Sequence, residues 1–299
     1  MFPLEPLICY FYITMKQPVI FTDLDGSLLD YSDYSFEKAK PSLRRVKEKD
    51  IPLVICSSKT RKEIEHYRKL LDNHHPFISE NGGGIFIPKG YFPFELSHPR
   101  HEIITGRSYH VMRLGARYED LRSTLEELKN EGFQVRGFGD MSVEELVETT
   151  QMKPVEARMA KQRDFDEPFL HTGPAYRLSG LLRAIHEKGF KFTQGRFYHI
   201  LGNSNKGIAV SILIDLYARK FQDTGIVTIA IGDSPNDKPM LQRVDLPILV
   251  KKHDGSYEAA IKIPNLIKAD GMGPEGWNAA VREQLAALEA RHTLPKKIR

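Results

Sequence analysis

Cysteine is nearly absent: there are two in 299 residues, Cys9 and Cys56, far apart in sequence. That excludes a disulfide framework, and because Cys56 falls in an apolar strand-like run, a reducing cytoplasm is the expected setting. Charge of one sign is missing as well, since 43 Lys and Arg stand against 39 Asp and Glu and leave a net charge of only +4. No basic run suits nucleic acid, and no polybasic patch suits a membrane surface. Long hydrophobic runs are lacking. The apolar patch from Leu7 to Ile13 is too short to span a bilayer, and it has neither the basic flank nor the cleavage site of a secretory signal. The 18 Pro and 22 Gly are scattered rather than pooled into a linker, and no repeat period is visible.

What remains is an ordinary globular composition on a chain comfortable for two domains, or for one domain carrying a large insertion. Either a monomer or a homodimer is compatible with it. Residues 1–14 read as an extra edge strand or as an extension from an upstream start codon, with Met15 a second start ahead of the first strand.

The chain is organised around Val19-Ile20-Phe21-Thr22-Asp23-Leu24-Asp25-Gly26, a buried-strand pattern running into two carboxylates at i and i+2. At the carboxyl end of a parallel strand such a pair lies where open α/β sheets bind ligands. Two acids so close repel each other unless a hard divalent cation, here Mg²⁺, takes their oxygens. One acid can then attack an electrophile while the other moves protons. Taken alone, an Asp-rich turn after a strand is an equal alternative.

The surrounding rhythm favours the chemical reading. A helix over 35–49, a strand over 51–56 ending at Ser57-Ser58-Lys59-Thr60, a helix over 61–71 and a strand over 75–79 give the βαβ pattern of a doubly wound parallel sheet. From residue 91 the rhythm changes to α+β. Strands are expected at 109–114 and 133–138, and helices at 118–130, after the Ser142/Glu145 capping box, at 154–161 and at 174–188. An extended piece at 165–170 and two strands across 191–201 complete this part. The first rhythm returns with a helix at 208–217 and strands at 226–231 and 246–250. A closing helix at 277–290 and a loose tail at 296–299 end it. The predicted organisation is an α/β core from 18–90 and 203–292, an inserted α+β domain at 91–202, and an N-terminal extension at 1–17.

A doubly wound sheet brings Asp23, Asp25, Ser57, Lys206, Asp233 and Asp237 to one edge. Acids on two strands can hold one Mg²⁺, while a lysine and a hydroxyl neutralise and bind the oxygens of a phosphoryl group. Ser57 alone would more often be a helix cap, and only its place after the second strand argues otherwise. Lys206 at a helix start opposes the helix dipole and so calls for an anionic partner. His74, His75, His98 and His101 lack any zinc pattern, and the Gly-rich runs fit neither a dinucleotide fingerprint nor a P-loop.

Asp23-Leu24-Asp25-Gly26, Ser57, Lys206 and Gly232-Asp233-x-x-Asn236-Asp237 resemble the four ordered motifs of the haloacid dehalogenase superfamily of phosphotransferases. More narrowly, the strings Ser57-Ser58-Lys59-Thr60, Glu80-Asn81-Gly82-Gly83, Arg163-x-Phe165-Asp166-Glu167-Pro168-Phe169 and Arg196-Phe197-Tyr198-His199 resemble the mannosyl-3-phosphoglycerate phosphatase family. The resemblance implies a Rossmann-like core with an inserted cap of the superfamily's second type (C2). It implies Asp23 as nucleophile, Asp25 as general acid and then base, Ser57 and Lys206 on the phosphoryl group, and Mg²⁺ held by Asp23, Asp25, Asp233 and Asp237. Ser58, Lys59, Asn81, Gly82, Arg163, Arg196 and His199 would meet the substrate, a phosphorylated sugar acid of compatible-solute (mannosylglycerate) synthesis. One departure is Asn205, where related sequences often carry Asp. Another sugar-phosphate phosphatase, a phosphomutase that returns the phosphoryl group to sugar, or a silent binding protein would be the alternatives.

Overall fold

The computed structural model describes residues 16–293. The expectations for residues 1–14 and for the tail at 296–299 lie outside the described residues. In chain order the elements are β1 (Gln17–Thr22), α1 (Lys40–Glu48), β2 (Leu53–Cys56), α2 (Arg61–Leu70), β3 (Phe77–Ser79), β4 (Gly84–Pro88), β5 (Ile103–Thr105) and β6 (Tyr109–Arg113). Next come α3 (Tyr118–Asn130), β7 (Val135–Gly137), α4 (Val143–Thr150), α5 (Pro154–Ala160), β8 (Asp166–His171), α6 (Leu178–Glu187), β9 (Lys191–Gln194) and β10 (Tyr198–Leu201). The chain closes with α7 (Lys206–Lys220), β11 (Ile226–Gly232), α8 (Lys238–Leu241), β12 (Leu246–Lys251), β13 (Ile267–Met272) and α9 (Gly273–Thr293).

Nine strands form one sheet in the order β13-β12-β11-β1-β2-β3-β4-β6-β5, parallel from β13 to β3 and antiparallel from β3 to β5. Successive side chains of a strand point to opposite faces, so a strand covered on both sides must be apolar throughout. β1 shows this directly. Val19 and Phe21 pack with Ala209, Val210 and Leu213 of α7, while Ile20 joins the cluster of Trp277, Ala280 and Val281 on α9. The lone tryptophan is fully buried, and its indole N–H donates to Thr22 Oγ1 at 3.0 Å. Each such fully buried side chain contributes about 1.5–3 kcal/mol relative to exposure.

A separate four-stranded antiparallel sheet, β7-β8-β10-β9, carries α3 and α6. Its core holds the expected leucine stripe of Leu121, Leu125 and Leu128 against Phe169, Leu181, Ile185 and Ile200. The capping box at Ser142 and Glu145 forms as its spacing requires. The sequence boundary at residue 91 put the strand over 109–114 in the inserted part. In the structure β6 pairs with β4 from Gly84 to Pro88, so the large sheet extends to Arg113. The chain after β4 returns antiparallel along the same sheet edge, and alternation alone cannot say which sheet a strand joins. Among the described residues no helix is long and apolar enough to cross a membrane.

Candidate active site

Strand order reverses at β1, which continues to β2 on one side and receives β11 on the other. A crevice opens at the carboxyl ends there. The Asp23 N–H donates to Ile231 O at 2.9 Å, so the first acid extends the ladder with β11. Gly26 turns the chain at φ +78°, and a Cβ on it would press on the Asp233 carboxylate. Only glycine meets both demands. Ser27 Oγ donates to Asp233 Oδ1 at 3.2 Å, which ties the two strand ends together.

Behind Asp23 sits Lys206, the first residue of α7, placed there because Asn205 Oδ1 caps the helix through the Ile208 N–H at 3.0 Å. Its ammonium donates to Asp23 Oδ1 at 2.6 Å and to Asp237 Oδ1 at 2.7 Å, and it is 1% exposed. The anion that the helix dipole called for is thus a pair of carboxylates. Burial would lower the lysine pKa, but Asp23 and Asp237 reverse that and raise it. Asp237 Oδ2 accepts the Asp233 and Ser234 N–H groups, each at 3.0 Å. Burial pushes Asp23 up to about 7 against the pull of Lys206, with Asp237 and Asp25 adding to the rise. Asp233 is raised well above the usual range, by burial and then by Asp237 and Asp23.

Carboxylate oxygens of Asp23, Asp233 and Asp237 lie within 4.8 Å of one another. Three buried acids lie beside one lysine that pairs with only Asp23 and Asp237, and burial together with their mutual repulsion raises Asp23 and Asp233. A hard divalent cation such as Mg²⁺ fits this oxygen-donor set and would supply the missing positive charge. The Asp25 carboxylate lies outside the group, contrary to the expectation that it would be a metal ligand. Its Oδ2 pairs with Lys59 Nζ at 3.1 Å, while Oδ1 is buried without a partner. Burial raises its pKa in spite of Lys59, so this acid is suited to carrying a proton. Lys59 is buried too, reaching Glu63 at 3.5 Å and lying over the rings of Tyr34 and Tyr67 at 4.8 and 5.7 Å.

Asp23, Asp25 and Asp233 open into a cleft of about 510 Å³ between the large sheet and the smaller unit. Ser58, Lys59, Arg163, Arg196 and His199 line it as the sequence reading expected, whereas Ser57, Asn81 and Gly82 are not part of its wall. Ser57 Oγ accepts the Lys59 N–H at 3.2 Å. Asn81 bridges Asp166 at 2.8 Å and Asn236 at 3.0 Å. Gly82 takes φ +92°, and a Cβ there would overlap the Asn205 carbonyl. These two positions, expected to meet substrate, instead join chain segments, because their polar groups and close approach are taken up by protein.

Arg163 also departs from expectation. Its Nε donates to Asp166 Oδ1 at 2.7 Å, Nη2 to Ser58 O at 2.7 Å and Nη1 to Ala160 O at 3.3 Å. Its guanidinium is committed to protein acceptors rather than presented to a ligand. Glu80 completes the cluster by accepting the N–H groups of Asp164, Phe165 and Asp166 at 2.7–3.0 Å, and burial pushes it up to about 8. Burial opposes the charge on Asp166, but Arg163 and His199 outweigh it and hold that carboxyl below the usual range. His199 Nδ1 meets Asp166 Oδ2 at 2.9 Å. Sequence reading missed Tyr31, Tyr34, Lys252 and His253 in the cleft wall, since loop residues with no periodic or motif spacing carry no such signal.

The profile of haloacid dehalogenase-like hydrolases matches residues 20–97. A protein of Methanococcoides burtonii named glucosyl-3-phosphoglycerate/mannosyl-3-phosphoglycerate phosphatase is 45% identical over 267 residues, 89% of this chain and 96% of that one. A protein of the same name from Persephonella marina is 42% identical over 91% of this chain and 98% of its own length. Among solved structures, a Thermoplasma acidophilum protein superposes with a TM-score of 0.64 over 92% of this chain and 99% of its own, at 18% identity, which speaks for the fold alone. The chain belongs to the haloacid dehalogenase-like hydrolases. Within that class it is a phosphoric monoester hydrolase.

Proposed function

We propose that the enzyme hydrolyses a glycosyl-3-phosphoglycerate, mannosyl or glucosyl, to the glycosylglycerate and phosphate, with Mg²⁺ and through a phospho-aspartate on Asp23. The observation that carries the reading is Asp23 at the cleft floor, fixed by Lys206 at 2.6 Å, beside a second acid, Asp25, with an unpartnered oxygen. The names of the two relatives supply the substrate class.

A carboxylate oxygen of Asp23 forms a bond to phosphorus while the bond from phosphorus to the sugar-acid oxygen breaks. Asp25 gives its proton to that leaving oxygen. It then takes a proton from water as the water oxygen attacks phosphorus, releasing phosphate and restoring Asp23. Lys206 keeps Asp23 oriented and balances charge behind it. Ser57 lies fully buried behind the cleft wall with its Oγ accepting the Lys59 N–H, so it would give its own hydroxyl hydrogen to a phosphoryl oxygen only once that wall shifts. Asp23 and Asp233, with Asp237 behind them, would hold Mg²⁺, which when bound would supply positive charge at the phosphoryl group.

The unit built on the four-stranded sheet serves as the cap, running from about the end of β6 to β10, and excludes water as it covers the cleft. Phosphate release measured across mannosyl- and glucosyl-3-phosphoglycerate, 3-phosphoglycerate and simple hexose phosphates, with and without Mg²⁺, tests the reading. Turnover confined to the glycosyl esters and dependent on Mg²⁺ is expected. Preference for a hexose phosphate would sink the substrate assignment, and transfer of phosphate to sugar without release would make the enzyme a mutase.

A further inference from the structure

Arg196 sits in the turn between β9 and β10, facing the cleft, and among the described residues no carboxylate forms an ion pair with it. It is nonetheless held in place. Its guanidinium lies over the rings of Tyr31 at 5.5 Å and Phe197 at 5.6 Å, and Nη1 donates to the Tyr34 hydroxyl at 3.3 Å. An arginine oriented by neutral groups and left without an anion is prepared for an anion from outside.

Tyr34 is unusual in its own right. A bulky residue rarely adopts φ +58°, and such strain persists only where surrounding structure enforces it. The loop does enforce it: Asp30 N–H donates to Ser35 O at 2.8 Å, Tyr34 N–H to Asp30 O at 3.1 Å, and Ser35 N–H to Asp33 Oδ1 at 2.8 Å. The result places one ring in two jobs. Its face lies under Lys59 Nζ, the partner of Asp25, and its hydroxyl holds Arg196 from across the cleft.

We infer that Tyr34 is a positioning residue for substrate selection, which aims Arg196 at the carboxylate of a carboxylate-bearing phosphate monoester whose phosphate rests on Asp23. The inference rests on the proposed substrate class, because the phosphoglycerate moiety carries such a carboxylate. A core loop, and not the cap alone, then sets specificity.

The test compares 3-phosphoglycerate with glycerol 3-phosphate, esters of one skeleton that differ in the carboxylate, as competitive inhibitors of p-nitrophenyl phosphate hydrolysis. Wild-type enzyme should bind the first about tenfold more tightly. Arg196→Ala should bring the ratio of inhibition constants close to one. Tyr34→Phe, which keeps the ring on Lys59, should lower the ratio several-fold, and adding it to Arg196→Ala should lower it no further. A purely structural part for Tyr34 would weaken both inhibitors alike and leave the ratio intact, which overturns the inference. So would a wild-type ratio near one, or independent losses in the double variant. Because the readout needs no glycosyl ester, failure of the glycosyl panel would refute the substrate reading and leave this ratio to judge Tyr34.

Discussion

Asp23 concentrates the competing demands of this site in one side chain, since a nucleophile must be ionised and burial resists ionisation. Burial is the largest cause of the rise, Lys206 offsets only part of it, and Asp237 and Asp25 add to it, so the carboxyl is pushed up to about 7. Asp23→Asn keeps shape and removes the anion, so it should fold as judged by circular dichroism and lose turnover by a factor of about 10³ or more. Retained phosphate release would exclude the covalent route. A group whose folded pKa is raised from 3.8 to about 7 contributes stability below its unfolded value and loses it as pH rises through the folded one. Metal-free enzyme should therefore pay an increasing penalty at these acids between about pH 4 and 7, and a divalent cation should relieve it. The rise in Tm on adding Mg²⁺ should be larger at pH 8 than at pH 5.5, and an equal or larger rise at pH 5.5 would take these carboxylates out of the metal site.

At the scale of elements, the helix that delivers Lys206 depends on a neighbour with no part in the chemistry. The segment from Glu80 to Gly82 has positive φ at all three positions, and Gly82 packs directly on the Asn205 carbonyl at the start of α7. Gly82→Ala must displace that carbonyl, and Lys206 with it, so kcat should fall at least tenfold while Mg²⁺ binding by calorimetry changes little. Unchanged kcat would mean that α7 keeps its place without this contact. The βαβ rhythm and the strand-end acids were readable in the sequence because period-2 and period-3.6 patterns and the i, i+2 spacing are local. Glycine at 82 was readable as a motif letter, but not as a packing requirement against a residue more than a hundred positions away. The same limit explains Asn81, whose partners Asp166 and Asn236 come from other segments, the Ser58 acceptor of Arg163, and the strands β4, β5 and β13, too short or too mixed to stand out. It explains β6 as well, whose residues were expected but whose sheet was not.

Across the whole molecule, two sets of hydrophobic clusters are joined by a buried polar cluster together with one aromatic, Phe165, which packs into the large-sheet core beside Phe86. Leu121, Leu125, Phe169 and Ile200 belong to one unit, and Ile20, Ile55, Trp277 and their neighbours to the other. Between them, Glu80 of the large-sheet unit accepts three successive N–H groups from residues 164–166, and Arg163 ties Asp166 to the Ser58 carbonyl. Truncating Arg163 leaves Glu80 and Asp166 facing each other in a buried space, a loss of about 3–5 kcal/mol for one partner of a buried ion pair. The loss falls on the joint, not on either core, so it should weaken cooperativity before it weakens the units. Calorimetric unfolding of the wild type is expected as one transition, and Arg163→Ala should split it in two, with only the core transition moved upward by Mg²⁺. The double variant Arg163→Met with Asp166→Asn removes both charges while keeping an amide oxygen for His199 and Asn81, and should recover part of the single transition. One undivided transition in Arg163→Ala, at wild-type temperature, would show that the two units are coupled by other contacts and that the arginine is free to serve the substrate.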